Sequence, residues 1–190
     1  MAKISALRFE QHSTGLGIQC SSPRISWTFC AIDDSSCDWT QSQYEISVYR
    51  ETGSSVEVVV DSHASSLVPW PATPLQSRER ASVRVRVYGI WMDRATKRQH
   101  SGWSAWSSWA TVECSLLSRQ DWSAVPISSS SIPASHEDEP LRPLLFRKSF
   151  VMPATFTSLH RARLYITALG VYRAYINGSR VGDHEMAPGW

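Results

Sequence analysis

The chain has 190 residues, 42% of them hydrophobic and 19% charged, with 19 Lys and Arg against 17 Asp and Glu. This is material for one ordinary domain, or a small domain plus part of another, and it excludes both a disordered chain and a large multidomain enzyme. A net charge of +2 creates no field that would recruit nucleic acid or an anionic membrane, so neither is an expected partner.

The first ten residues, Met1 to Glu10, contain no apolar stretch of signal-peptide length. No apolar run approaches the roughly 20 residues of a membrane-spanning helix. The expectation is a soluble, cytoplasmic protein. From there to about residue 115 the sequence reads as short strands between turn signals, without a 3.6-residue apolar period. Arg24 to Phe29 and Tyr44 to Tyr49 alternate polar and apolar, so each buries one face. Val56 to Asp61 follows the turn residues Thr52 to Ser55, and Ser65 to Trp70 reads as a short strand that Pro69 confines to an edge or a strand end. The clearest alternation is Ser82 to Tyr88. It puts Val83, Val85 and Val87 on one face and Arg84, Arg86 and Tyr88 on the other, and Ser108 to Cys114 reads as a last strand. The expected fold is all-β: a two-sheet sandwich of the immunoglobulin or fibronectin type III kind over residues 1–116.

Residues 117–144 change character, with Ser128 to Ser131, the prolines 126, 133, 140 and 143, and the acidic run Glu137-Asp138-Glu139. Such a composition buries too little surface to order itself and reads as a linker. Beyond it, Leu144 to Phe150 and Ala162 to Leu169 read as strands. Val171 to Ile176 runs through Asn177-Gly178 into Ser179 to Val181, and both turn residues accept the positive φ of a type I′ hairpin. Residues 145–190 lie close to the ~40-residue floor below which domains rarely fold unaided, so the second domain reads as incomplete.

Nine tryptophans are many for this length, and three fall in Trp103-Ser104-Ala105-Trp106-Ser107-Ser108-Trp109. Trp103 to Ser107 matches the WSxWS box of cytokine receptors. One reading is a structural stack in which Arg84 and Arg86 supply cations to the Trp faces. A second is a carbohydrate platform built from Trp103, Trp106, Trp109 or the terminal Trp190. A third is a receptor-like interface. The WxxW spacing is also a C-mannosylation pattern in secretory proteins.

Paired carboxylates would mark a glycosidase. Glu137, Asp138 and Glu139 fall in the linker, Asp183 and Glu185 flank His184 after a turn, and Asp33 and Asp34 read as loop residues. None makes a convincing pair, no GxSxG nucleophile motif or glycine-rich phosphate loop occurs, and no catalytic residue or cofactor is expected. Cys20, Cys30, Cys37 and Cys114 lack CxxC spacing and nearby His ligands, so no metal site is expected and they read as reduced, partly buried thiols. Asn177-Gly178-Ser179 satisfies the N-glycosylation sequon, but the hairpin turn already accounts for these residues, and without a secretion signal the sequon should stay unmodified.

Phe146-Arg147-Lys148-Ser149-Phe150, Ala162 to Tyr172 (ARLYITALGVY), Tyr175 to Gly182 (YINGSRVG) and Ala187-Pro188-Gly189-Trp190 together resemble the N-terminal region of the α-L-rhamnosidase family of glycoside hydrolases. In the first domain Pro23 to Trp27, the turn Pro74 to Ser77, Arg84 to Val87 and Ser104 to Ser107 fall in that family's order. Leu116-Leu117 and Asp121 to Ala124 lead into the connector. Met186 before Ala187 is a mild departure. The resemblance implies a fibronectin-like module followed by the opening strands of a jelly-roll domain. It further implies that the family's catalytic (α/α)₆ barrel, with the two glutamates that hydrolyse terminal α-L-rhamnose with inversion, is absent from these residues. The partners it implies are a rhamnose-containing carbohydrate and the missing catalytic domain or another chain; the implied role is a non-catalytic accessory region.

Overall fold

The computed structural model describes residues 2–12, 14–30, 35–129, 143–152 and 161–188, which divide into two units, Met1–Ser123 and Ala124–Trp190. In the first unit the strands in chain order are β1 (Lys3–Phe9), β2 (Leu16–Ile18), β3 (Ile25–Cys30), β4 (Ser36–Arg50), β5 (Ser55–Asp61), β6 (Arg80–Asp93), β7 (Gln99–Trp103) and β8 (Ala110–Cys114). The larger sheet runs β2-β8-β6-β4-β5, and β7 also pairs with β6; β1 and β3 form the smaller, antiparallel sheet. No helix among the described residues is long and apolar enough to cross a membrane.

Alternation fixes which face is inside. Val83, Val85 and Val87 of β6 and Ile46 and Val48 of β4 are all at most 1% exposed, and they pack with Ile4, Phe9, Ile25 and Trp27 from the smaller sheet into one core. Removing each such side chain from water contributes about 1.5 to 3 kcal/mol before the cost of ordering the chain. One polar group joins the sheets inside this core. Gln41 of β4 accepts from Trp27 Nε1 at 3.2 Å and donates to the carbonyls of Ser62 and Ala64 at 3.0 and 2.8 Å, so a buried amide is satisfied on both sides. Gly89 permits the outer part of β6 to pack, since a Cβ there would fall onto the Trp39 indole. The loop Pro74 to Ser77 is fastened by Arg50, which bonds Glu79 at 3.0 Å and the carbonyls of Thr73 and Pro74.

Several expected elements differ. β4 and β6 run 15 and 14 residues, about twice the alternating stretches read from sequence. They pair with each other through two register shifts, each with an extra residue on the β4 side, which break the alternation of β4. Ser65 to Trp70 makes no strand. Val68 exchanges backbone bonds with Ile25 at 2.8 Å in both directions, and the next pair that could exchange bonds, Trp70 with Pro23, lacks the Pro23 N–H. The last strand begins at Ala110 rather than Ser108. Strands β1, β2 and β7 carried too little alternation to be read. Residues 117–121, read as the start of the linker, instead hold a 3-10 turn, Arg119–Asp121, with a Ser118–Asp121 capping box. Asp121 accepts from the Ser77 hydroxyl at 2.5 Å and Arg78 donates to its carbonyl at 2.8 Å, so local capping holds a segment that composition marks as loose.

In the second unit the Asn-Gly hairpin forms as expected. β9 (Tyr175–Ile176) pairs with β10 (Ser179–Arg180), and Asn177 and Gly178 have φ of 50° and 80°. The strands expected over Leu144 to Phe150 and Ala162 to Leu169 are not formed. A strand exists only with a neighbour to complete its hydrogen bonds. Leu145 and Leu169 stand essentially fully exposed. Glu137, Asp138, Glu139, Asp33, Asp34 and Trp190 lie outside the described residues.

Candidate functional site: an interleaved arginine and tryptophan ladder

Between β7 and β8 the chain runs beside the middle of β6 without forming strand, because residues 104–109 follow a three-residue repeat instead of the pleat's period of two. That repeat sends Ser104 and Ser107 toward β6 and the tryptophans to the outer face. Each serine replaces a ladder residue. The Ser104 N–H donates to the Val87 carbonyl at 2.8 Å and its hydroxyl accepts from the Val87 N–H at 3.1 Å. Ser107 repeats the arrangement on Val85 at 2.8 and 3.0 Å. The hydroxyl protons go to the carbonyls of Ala105 and Ser108, both at 2.9 Å, so the N–H and hydroxyl of each serine are used.

On the outer face, Arg86 lies 4.9 Å from the Trp103 ring centre and 4.7 Å from that of Trp106, while Arg84 lies 4.3 Å from Trp106 and 4.6 Å from Trp109. The order is Trp103, Arg86, Trp106, Arg84, Trp109, with Tyr88 edge-on to Trp103 at 5.4 Å. Each contact is worth roughly 0.5 to 1 kcal/mol at an exposed site and more where water is excluded. Two acids close the ladder's other flank. Glu45 of β4, nearly buried, accepts from Arg86 Nε at 2.5 Å, and Glu57 of β5 lies 3.7 Å from Arg84. The sequence reading found the rings and cations but missed Glu45, Glu57 and the role of the serines. The signal for Glu45 was present in the alternation of Tyr44 to Tyr49, which places it on the same polar face as Arg86.

Of the acids weighed in the sequence, Glu185 is held by structural bonds. Glu185 bonds Arg180 at 2.6 Å and Arg173 at 2.8 Å, which hold its carboxyl below the usual carboxylate range, and Arg180 also donates to the His184 carbonyl. Glu10, with Arg24 at 2.6 Å, is likewise lowered by that guanidinium, against the opposing effect of partial burial. A hollow lined by Glu10, His12, Cys20 and Arg24 opens widely to solvent. Cys20, Cys30, Cys37 and Cys114 are free thiols; burial pushes the Cys114 thiol up to about 11. Among the described residues no group of three or more His, Cys, Asp or Glu could hold a metal ion.

A two-sheet sandwich with a serine-stitched aromatic ladder defines an immunoglobulin-like module. Residues 4–118 match the family described as the Rha78A-like, N-terminal immunoglobulin domain, and the chain belongs to that family. Residues 157–190 match the α-L-rhamnosidase N-terminal domain. An α-L-rhamnosidase of Alteromonas sp. (strain LOR) is 28% identical over 92% of this chain and 19% of its own length. One of Formosa agariphila is 31% identical over 68% and 13%. Among solved structures, native α-L-rhamnosidase from Aspergillus terreus superposes with a TM-score of 0.78 at 40% identity, covering 100% of this chain and 20% of that one. The Streptomyces avermitilis α-L-rhamnosidase complexed with L-rhamnose gives 0.53 at 26% identity, covering 65% and 12%. The chain thus spans a fifth or less of the length of these relatives.

Proposed function

We propose that this chain is the accessory β-region of an α-L-rhamnosidase, with a fibronectin-like module over 1–116, a connector over 117–144 and an incomplete N-terminal part of a jelly-roll domain over 145–190, and that it is inactive by itself. The match of its whole length to one fifth of the Aspergillus terreus enzyme carries this reading. The reaction it would serve removes terminal α-L-rhamnose with inversion: one carboxylic acid protonates the glycosidic oxygen while a second carboxylate activates water. Both carboxyls come from outside this chain. Its own contribution is a rigid scaffold beside the catalytic domain, for which a core closed from both sheets and a ladder locked by bonds to β6 are suited. The purified chain is expected to release no aglycone from an aryl α-L-rhamnoside; turnover by the chain alone refutes the reading.

A second reading, sugar binding by Trp103, Trp106, Trp109 or Trp190, draws on the 49% exposure of Trp109. The guanidinium groups already against Trp103, Trp106 and Trp109 compete with a sugar for those rings. Fluorescence titration with L-rhamnose decides: a saturable change lost in Trp109→Ala supports the platform, and an unchanged spectrum at millimolar sugar rejects it.

A further inference from the structure

The edges of the two sheets are not equally protected. β1 carries a register shift between Ile4 and Ala6, and β2 is three residues long with a shift of its own, both ordinary ways of blunting an edge. β5 has none of these. It pairs with β4 in unbroken register from Gln43↔Asp61 to Tyr49↔Ser55, contains no Pro or Lys, and among the described residues has no strand on its other side.

Which backbone groups face outward follows from the flanking bonds. Ser62 N–H donates to Ser42, and Arg50 N–H donates to Ser54, so the even-numbered residues of β5 bond β4. The N–H and C=O groups of Ser55, Glu57, Val59 and Asp61 therefore point away from the sheet. In an antiparallel pairing of β5 with a second β5 about a two-fold axis at Val58, Ser55 meets Asp61 and Glu57 meets Val59. These are the outward-pointing residues, so their free donors and acceptors match. On the outer face each acid then stands opposite a neutral side chain. On the inner face Val56 meets Val60 and Val58 meets itself, extending the apolar face of the core. Moving the axis to Glu57 sets Glu57 against Glu57, and moving it to Val59 sets Glu57 against Asp61. Of these three axes only the one at Val58 satisfies hydrogen bonds and opposed charges together, and it pairs all seven residues of the strand.

We propose that β5 is a self-complementary docking edge and that its occupant is β5 of a second copy of this chain, joined as an isologous antiparallel pair. Val59, 55% exposed on the outer face, provides the test, because it faces Glu57 of the other copy. Val59→Glu sets acid against acid twice per dimer, whereas Val59→Lys sets base against acid twice. Sedimentation velocity of the full chain up to about 200 µM is expected to show dimer for the wild type, at least tenfold weaker association for Val59→Glu, and association within threefold of wild type for Val59→Lys. Hydrogen exchange gives a second readout: the Glu57 and Val59 amides slow as concentration rises, while those of Val56 and Val58, already bonded to β4, do not. If Val59→Glu misfolds by near-UV circular dichroism, Ser55→Asp, which faces Asp61, replaces it. A wild-type chain that stays monomeric, leaving the edge to a strand of another polypeptide, overturns the proposal. So does a dimer that both Val59 variants weaken equally or neither affects.

Discussion

Ser104→Ala tests whether the Trp-Ser repeat is a structural stitch. Val87 is 1% exposed and Ser104 7%, so when the hydroxyl is removed no water reaches the Val87 N–H that it satisfied. Leaving a buried donor unpaired costs roughly 1 to 3 kcal/mol. Ser107 makes the same bonds to Val85 but is only half-buried, so water substitutes in part and Ser107→Ala is expected to cost about 0.5 to 1.5 kcal/mol. At about 4 °C per kcal/mol for a unit of this size, Ser104→Ala lowers the Tm of the first unit by roughly 4 to 12 °C. Urea unfolding followed by tryptophan fluorescence and near-UV circular dichroism gives the free-energy difference directly. The double variant is expected to fall short of the sum, because both serines hold the one run of chain that carries Trp106. A Ser104→Ala protein within about 0.3 kcal/mol of wild type, or a Ser107→Ala protein less stable than Ser104→Ala, refutes this account of the repeat.

Gly89→Ala places a methyl group on the Trp39 indole, which Phe29 backs at 4.7 Å, and is expected to destabilise by about 1 to 3 kcal/mol in the same urea assay. Native Cys114, 1% exposed with its thiol pushed up to about 11, is expected to resist iodoacetamide at pH 8 while the unfolded chain reacts there, as read by peptide mass. Because Arg24 lowers the Glu10 carboxyl below its unfolded value near 4.3, the stability this pair contributes is complete above about pH 4.3 and is lost as pH falls through the folded value. Arg24→Met is therefore expected to flatten part of the acid limb of a stability-against-pH curve and leave its alkaline limb unchanged.

The sequence by itself determined the sandwich's inward faces, the Asn-Gly hairpin and the chemistry of the ladder's outer face. Each is a short-range pattern: a period of two, a dipeptide that accepts positive φ, a residue type repeated every third position. The resemblance to rhamnosidases was legible for the same reason, in contiguous motifs such as Tyr175 to Gly182. Only tertiary structure decided which partners those patterns meet. Glu45 and Glu57 come to the ladder from strands roughly 30 to 40 positions away, and Gln41 joins Trp27 to Ser62 and Ala64 across the core; no local rule encodes such separations. Pairing decided the rest. Val68 and Ile25 meet for one bridge and stop at a proline, while Ala162 to Leu169, as strand-like in composition as β5, forms no strand. A residue's preference for extended backbone is local, but a strand is made by its neighbour's hydrogen bonds.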